Sequence, residues 1–170
     1  MNNITNINYI GNVTLKLKVK DKIITLKNHN AGADYLMQSF AKFITGNYEG
    51  DRDIPKYLDL RTSANSGRTW TTCLTQTLPI TSAYFENDSE EGWIARFTTT
   101  IKYEILVSPI SETSSNMYRL YMYSGKDEST PNELYHDLAY MSVSARDLAV
   151  ISPGTVGVVE WSMKLQNGDN

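Results

Sequence analysis

The middle of the chain contains a long stretch of alternating side chains that constrains the fold more than any other feature. Between Trp93 and Ile105, mostly hydrophobic or aromatic residues alternate with polar ones. Successive side chains of a β-strand point to opposite faces of a sheet, so this period of two predicts a strand with one buried and one solvated face. The face expected to be buried holds Trp93, Ala95, Phe97, Thr99, Ile101, Tyr103 and Ile105. A face of this length needs a second large element to cover it.

The same alternation occurs near both ends of the chain, in residues 11–20 and 155–166. Its apolar positions are Val13, Leu15, Leu17 and Val19 in the first segment, and Gly157, Val159, Trp161, Met163 and Leu165 in the last. Turn-forming residues separate further β-prone stretches, which predicts strands at 23–27, 57–61, 69–74, 77–81, 117–123 and 138–144. Only residues 21 and 22 separate the first two strands, which predicts a hairpin.

One segment has the period of an α-helix. Within 32–45 the hydrophobic residues lie on a single helical stripe, which predicts an amphipathic helix packed on its apolar side. These residues are Leu36, Met37, Phe40, Phe43 and Ile44. We expect Asn28 or Asn30 to cap the start of the helix and Gly46 to end it.

Together these patterns predict a mainly β fold. We expect an antiparallel two-sheet sandwich, jelly-roll-like, with one amphipathic helix after the first strand pair. No internal repeat or linker divides the sequence, so residues 1–170 are predicted to form a single domain, with 1–10 as an extended N-terminal arm.

The N-terminal residues alternate Asn or Thr with Ile, a pattern suited to pairing with a sheet edge. Ile4, Ile7 and Tyr9 are therefore candidates for contacts with a neighbouring subunit, in which main-chain hydrogen bonds would supply affinity. The alternative is that this segment is the first strand of the chain's own sheet.

Composition argues against several classes of function. The chain has 16 basic and 19 acidic residues, a formal charge of −3, two histidines and a single cysteine, Cys73. One cysteine excludes an intramolecular disulfide and a multi-cysteine metal site, and no Lys/Arg block indicates a nucleic-acid surface. No segment has the ~20 apolar residues of a membrane helix, and the N-terminus does not resemble a signal peptide. We therefore expect no metal, cofactor, nucleic-acid or membrane partner.

Catalytic motifs are likewise missing from the sequence. His136 and Asp137 are adjacent, but neighbouring residues point apart, and no Gly-x-Ser-x-Gly elbow is present. The acidic clusters at Asp51/Asp53 and within 86–91 do not match a calcium-binding EF-hand and are interpreted as solvated loops. The sequence thus favours a protein that is not an enzyme, with no catalytic, cofactor-binding or metal residues.

The predicted strand 117–123 carries large side chains on both faces. Tyr118, Leu120 and Met122 share one face, and Met117, Tyr121 and Tyr123 share the other. The strand is either central and enclosed on both sides, or its outer face meets a partner. A third interpretation is that the tyrosines stack on sugar rings. The interface candidates here are Tyr118, Tyr121 and Tyr123.

The order of elements resembles that of small β-sandwich virion proteins of tailed bacteriophages. The resemblance lies in a strand pair ending in Ile-Thr-Leu-Lys-Asn-His-Asn-Ala-Gly, a helix directly after it, a β-rich middle and a closing Gly-Val-Val-Glu-Trp-Ser-Met-Lys-Leu-Gln-Asn strand. It implies a virion structural protein of the head fibre or decoration, neck or tail, made in the cytoplasm of the bacterial host.

Such a protein would assemble without catalysis, as a homo-oligomer in contact with other virion proteins. The shared positions, including Glu160 and Trp161, are structural, so no family site residue is carried over. The alternative function is a carbohydrate-binding module at a tail or fibre tip that binds a host surface glycan.

Overall fold

Two antiparallel sheets contain most of the described chain. The computed structural model describes residues 7–19, 22–29, 31–32, 34–47, 50, 54–89, 92–125 and 137–167. The strands are β1 (Ile7–Val19), β2 (Lys22–His29), β3 (Ala31–Gly32), β4 (Tyr57–Ser63), β5 (Thr71–Thr72), β6 (Leu78–Pro79), β7 (Ser82–Asp88), β8 (Gly92–Lys102), β9 (Met117–Tyr123), β10 (Asp137–Val143) and β11 (Val156–Asn167). The helices are α1 (Asp34–Ile44), α2 (Ala145–Leu148) and a 3-10 turn at Tyr103–Ile105.

The first sheet has the strand order β2-β1-β11-β8-β7, and the second has β3-β10-β9-β4-β5, with β6 also paired to β4. One hydrophobic cluster lies between them, with Val159 and Trp161 from the first sheet and Leu58 and Met122 from the second, all fully buried. This confirms the predicted mainly β, two-sheet sandwich. Neither helix in the described part of the chain has the length and hydrophobicity needed to cross a bilayer.

The first strand begins earlier than residue 11. Ile7 lies opposite Asn167 and Tyr9 opposite Leu165, so residues 7–10 pair with β11 of their own sheet. Residues 7–10 are therefore the start of the chain's own first strand, which was the alternative to an extended arm. Ile4 lies outside the described residues. The hairpin between β1 and β2 is confirmed by their antiparallel pairing.

The predicted faces of the last strand are confirmed where its side chains are described. Val159 and Trp161 are fully buried, and Met163 packs against the core, while Val156 and Val158 are exposed. Alternation predicts these faces well because β11 lies inside its sheet between β1 and β8.

The long central strand ends sooner than predicted. β8 stops at Lys102, and the next three residues form a 3-10 turn that is closed when the Leu106 N–H donates to the Tyr103 carbonyl at 3.0 Å. The Thr75 N–H then donates to the Ile105 carbonyl, so this turn leads the chain out of the first sheet. The alternation of apolar residues continues through Ile105 although the strand has ended. The reason is that Tyr103 and Ile105 of the turn also pack against the core.

Gly46 ends α1 as predicted. It has a φ of +73°, its N–H donates to the Phe43 carbonyl at 3.2 Å, and the Asn47 N–H donates to the Lys42 carbonyl at 2.8 Å. This pair of bonds is the Schellman arrangement that a left-handed glycine permits. The cap predicted at Asn28 is wrong, because Asn28 lies within β2; Asn30 lies outside the described residues.

The predicted helical stripe is only partly buried. Leu36 packs against the core and Ser39 is buried, but Phe43 and Ile44 are 63% and 66% exposed. The first turns of α1 face the sandwich and the last turn reaches solvent, so periodicity alone overestimates the length of the buried stripe.

Several short elements differ from the predictions. The predicted strands at 69–74 and 77–81 are only two residues each, β5 and β6, while β7 and α2 were not predicted. Glu86, assigned to a solvated loop, lies in β7, and its carboxylate pairs with Arg96 across the β7–β8 hairpin. The ion pair with Arg96 offsets the charge of Glu86 within the sheet. The acidic composition of the segment did not indicate that it forms a strand.

Candidate binding surface

The outer face of the second sheet carries large and charged side chains from neighbouring strands. In β9, Tyr118, Leu120 and Met122 join the core, as the alternation predicts. Residues 119, 121 and 123 therefore lie on the other face. Tyr121 lies between Asp59 of β4 and Tyr140 of β10 in the pairing register. Strands that are distant in sequence thus place their side chains side by side on this face.

Four aromatic rings form one contiguous group, here called the aromatic cluster: Trp70, Tyr121, Tyr123 and Tyr140. Tyr121 is the common member, with its ring centroid 5.7 Å from those of Tyr123 and Tyr140 and 5.9 Å from that of Trp70. Tyr121 and Tyr123 are each only 6% exposed, whereas Trp70 and Tyr140 are half-buried. The first two tyrosines therefore form the floor of the cluster and the other two residues its accessible part.

A short loop between β4 and β5 holds Trp70 in place. The Asn65 side-chain carbonyl accepts from the Thr69 N–H at 2.9 Å, and the Trp70 Nε1–H donates to the Gly67 carbonyl at 3.1 Å. Gly67 has a φ of +86°, and a Cβ there would lie 3.6 Å from the indole ring. Glycine allows this left-handed turn, which returns the chain so that the indole lies over the sheet.

Arg119 lies between two rings of the aromatic cluster. Its Cζ atom is 4.6 Å from the Trp70 ring centroid and 4.1 Å from the Tyr140 ring centroid, both within cation–π distance. Its Nη1 donates a long hydrogen bond of 3.4 Å to the Tyr121 hydroxyl. Its Nε is buried and donates no hydrogen bond within the described residues. Among the described residues, the guanidinium is thus held by ring contacts and the Tyr121 hydroxyl and not by an acid.

Arg61 and Asp59 form a paired charge beside this group. The Arg61 Nε donates to Asp59 Oδ2 at 2.7 Å, and the other carboxylate oxygen accepts from the Thr72 hydroxyl at 2.6 Å. Burial lowers the pKa of Arg61, but its hydrogen bond to Asp59 and the nearby charges raise that pKa above its ordinary value overall. Asp59 is 1% exposed, so its carboxylate serves to hold neighbouring side chains.

The tyrosine next to Arg61 stays protonated at neutral pH. The Arg61 Cζ lies 5.0 Å from the Tyr123 ring centroid. Burial raises the pKa of Tyr123 above its ordinary value, although Arg61 opposes this shift. The hydroxyl and ring are therefore suited to packing and hydrogen bonding rather than to proton transfer.

Cys73 is a partly buried thiol that packs against the core. Burial raises its pKa from 9.0 to about 11, with a further contribution from the Asp59 charge. At neutral pH it is therefore a thiol and not a nucleophilic thiolate.

The sequence-predicted interface residues occupy different places in the fold. Tyr121 and Tyr123 lie together in the aromatic cluster, while Tyr118, on the opposite face of β9, is 7% exposed and donates to the Ser114 hydroxyl at 3.1 Å. Ile7 and Tyr9 belong to the first sheet, and Ile4 is not among the described residues. The interface role of all these residues stays a prediction.

Metal binding and catalysis have few candidate groups in the described ranges. No three His, Cys, Asp or Glu residues within those ranges lie close enough to hold a metal ion. His136, Asp51 and Asp53 lie outside the described residues, as do Glu90 and Glu91.

Sequence reasoning missed most of the binding surface. Trp70, Tyr140 and the two arginines were not among the predicted site residues. The one local signal was the alternation of Leu58 and Leu60 with Asp59 and Arg61, which marks a strand with a charged outer face. Which side chains meet across strands depends on pairing that a local pattern does not encode.

Comparisons with known proteins found no matching family model, curated protein or solved structure.

Proposed function

We propose that this chain is a non-catalytic structural protein of a tailed-phage virion that assembles by protein–protein contacts. The outer face of the second sheet, with the aromatic cluster, Arg61 and Arg119, is its docking surface. Tyr, Trp and Arg are the residue types enriched at interfaces and at their energetic hot spots, which is the observation that supports this proposal. The partners are copies of the chain and neighbouring head, neck or tail proteins.

The outer face of the first sheet differs from that of the second sheet. There Arg96 is paired with Glu86 and Glu160, and the Thr100 and Lys102 side chains are exposed. The same face carries the exposed side chains of Tyr84, Val156 and Val158, and exposed apolar residues of this kind are common on soluble domains. The concentration of rings on the second sheet is therefore a local feature and not a general property of the chain.

The alternative, a carbohydrate-binding module, needs aromatic faces that are open to a sugar. Here Tyr121 and Tyr123 stack on each other at an interplanar angle of 27°, and Arg119 lies against both Trp70 and Tyr140. Much of the ring surface is already in use, which favours a protein partner that packs over the whole cluster.

Purified particles of the phage that encodes the chain provide the test. We expect the chain to sediment with intact virions, and Trp70→Ala, supplied in trans, to reduce its incorporation by more than about tenfold, as loss of an interface hot spot does. Quantitative mass spectrometry of gradient fractions measures the incorporation. Tyr84→Ala, at a 45% exposed tyrosine of the first sheet, is the matched control and should incorporate normally.

Recovery of the wild-type chain only in the soluble fraction would contradict the proposal. So would saturable binding to a glycan array that is lost in Trp70→Ala, because that result assigns the same surface to a sugar.

A further inference from the structure

Arg119 holds an unmatched charge at the centre of the docking surface. No ion pair joins Arg119 to an acid within the described part of the chain, whereas Arg61 and Arg96 each have one there. Its Nε is shielded from solvent and makes no hydrogen bond to a described residue. The Trp70 and Tyr140 rings lie against the half-buried guanidinium without neutralising it. The positive charge of this partly exposed guanidinium is thus left for an external group to match.

Arg61, on the same face, is an arginine whose charge is matched by a carboxylate. It lies directly opposite Arg119 in the β4–β9 register, and like charges in that relation repel each other. Arg61 has its carboxylate in Asp59, at 2.7 Å, and Thr72 completes the hydrogen bonding of that carboxylate. Of the two facing guanidiniums, Arg119 is the one that lacks the equivalent acid among the described residues.

We propose that Arg119 recognises a carboxylate from an aspartate or glutamate side chain of a partner polypeptide, and that an apolar residue beside that acid packs on Trp70 and Tyr140. The proposal rests on the docking function proposed above. A guanidinium offers a planar set of donors that fits a carboxylate, and the low local dielectric beside the rings strengthens the ion pair. Arg119 already lies over the Trp70 and Tyr140 rings, so a flat sugar ring has less surface on which to stack, whereas an apolar side chain needs only the part of each ring that stays exposed.

Two peptides that differ in one group test this recognition on the full-length protein. We would titrate acetyl-Leu-Glu-Leu-amide and acetyl-Leu-Gln-Leu-amide into nitrogen-15-labelled protein and follow the Trp70 indole N–H, which donates to the Gly67 carbonyl. We expect a saturable shift with the glutamate peptide and an affinity at least about tenfold weaker for the glutamine peptide. Arg119→Gln should abolish this difference, and Arg68→Gln, at an exposed arginine, should preserve it.

The buried indole of Trp161 reports in the same spectra whether each variant is folded. If Arg119→Gln fails to fold, Arg119→Lys replaces it, since lysine keeps the charge but loses the planar fork, and the preference for glutamate should fall.

Equal binding of the two peptides, no saturable shift with either, or unchanged discrimination in the Arg119 variants would overturn the proposal. Saturable binding of glucuronate without binding of the glutamate peptide would also overturn it, in favour of a sugar acid. The virion experiment has an independent outcome: if Trp70→Ala lowers incorporation while the peptides do not bind, only the assignment of Arg119 is lost.

Discussion

At the scale of single residues, Asp59 organises much of the proposed docking surface. Its buried carboxylate accepts hydrogen bonds from Arg61 and Thr72 and so keeps the Arg61 guanidinium over the Tyr123 ring. The same negative charge adds to the effect of burial in raising the pKa of Cys73. The charge that positions Arg61 therefore also changes the chemistry of a core thiol.

This thiol makes the free energy of unfolding depend on alkaline pH. The pKa of Cys73 is 9.0 in its ordinary state and about 11 in the fold. Above the ordinary value the unfolded chain releases the proton while the folded chain retains it, so rising pH favours unfolding. Below about pH 9 the thiol is protonated in both states, so the free energy of unfolding does not change with pH on its account. As the pH rises from there toward the folded pKa, the free energy of unfolding falls by about 1–2 kcal/mol, a value that allows for the partial exposure of the side chain.

Urea denaturation of the wild type and Cys73→Ala at several pH values measures this effect. Between about pH 8.5 and pH 10.5 the wild type should lose more stability than the variant. Tyrosine ionisation acts on both proteins, so the comparison isolates the thiol. A parallel decline in the two proteins would contradict the prediction.

At the scale of elements, α1 is attached at one end and open at the other. Its first turns contribute Leu36 to the core, whereas its last turn exposes Phe43 and ends in the Schellman bonds around Gly46. The left-handed backbone of Gly46 directs the chain away from the helix. A Cβ at this position would meet no atom within 4 Å, so only backbone conformation restricts the residue there.

Gly46→Ala should therefore destabilise the protein through the backbone alone. We expect a loss of about 1–2 kcal/mol, the cost of a left-handed conformation for an ordinary L residue. Gly46→Asn should lose less, because asparagine tolerates this conformation better. Chemical denaturation followed by circular dichroism measures both variants, and equal losses for the two would show that the φ angle is not the cause.

At the scale of the whole molecule, one core joins the two sheets. Trp161 lies on β11, next to β1 and β8, and is fully buried in the cluster that also contains residues of the second sheet. Its indole Nε1–H is buried and has no hydrogen-bond partner in the described part of the chain. The residue therefore contributes by filling volume between the sheets rather than by hydrogen bonding.

Trp161→Ala should weaken both sheets together, by about 3–5 kcal/mol. Trp161→Phe should cost clearly less, because it keeps an aromatic ring and removes an unsatisfied donor. Urea unfolding followed by circular dichroism and by the Trp70 indole resonance tests this, since Trp70 lies over the second sheet and Trp161 belongs to the first. Non-coincident transitions would indicate that the sheets unfold separately and that the core is not shared.

The sequence by itself determined the β character of the chain, the two faces of β9 and β11, and the end of α1 at Gly46. These features follow from local backbone geometry: a strand alternates its side chains, and a left-handed helix terminus favours glycine. The same local rule failed for Phe43, Ile44 and the end of β8, because burial depends on what lies opposite and not on the period alone.

Only the tertiary structure decided which strands are neighbours and therefore which side chains lie together on the proposed docking surface. Asp59, Arg119 and Tyr140 lie on three adjacent strands, and Trp70 reaches them from a loop. Hydrogen bonding between distant segments brings these groups together, and the free energy of that pairing is shared over the whole sheet. No short window of sequence contains this information, so the arginine between two rings became apparent only in the folded chain.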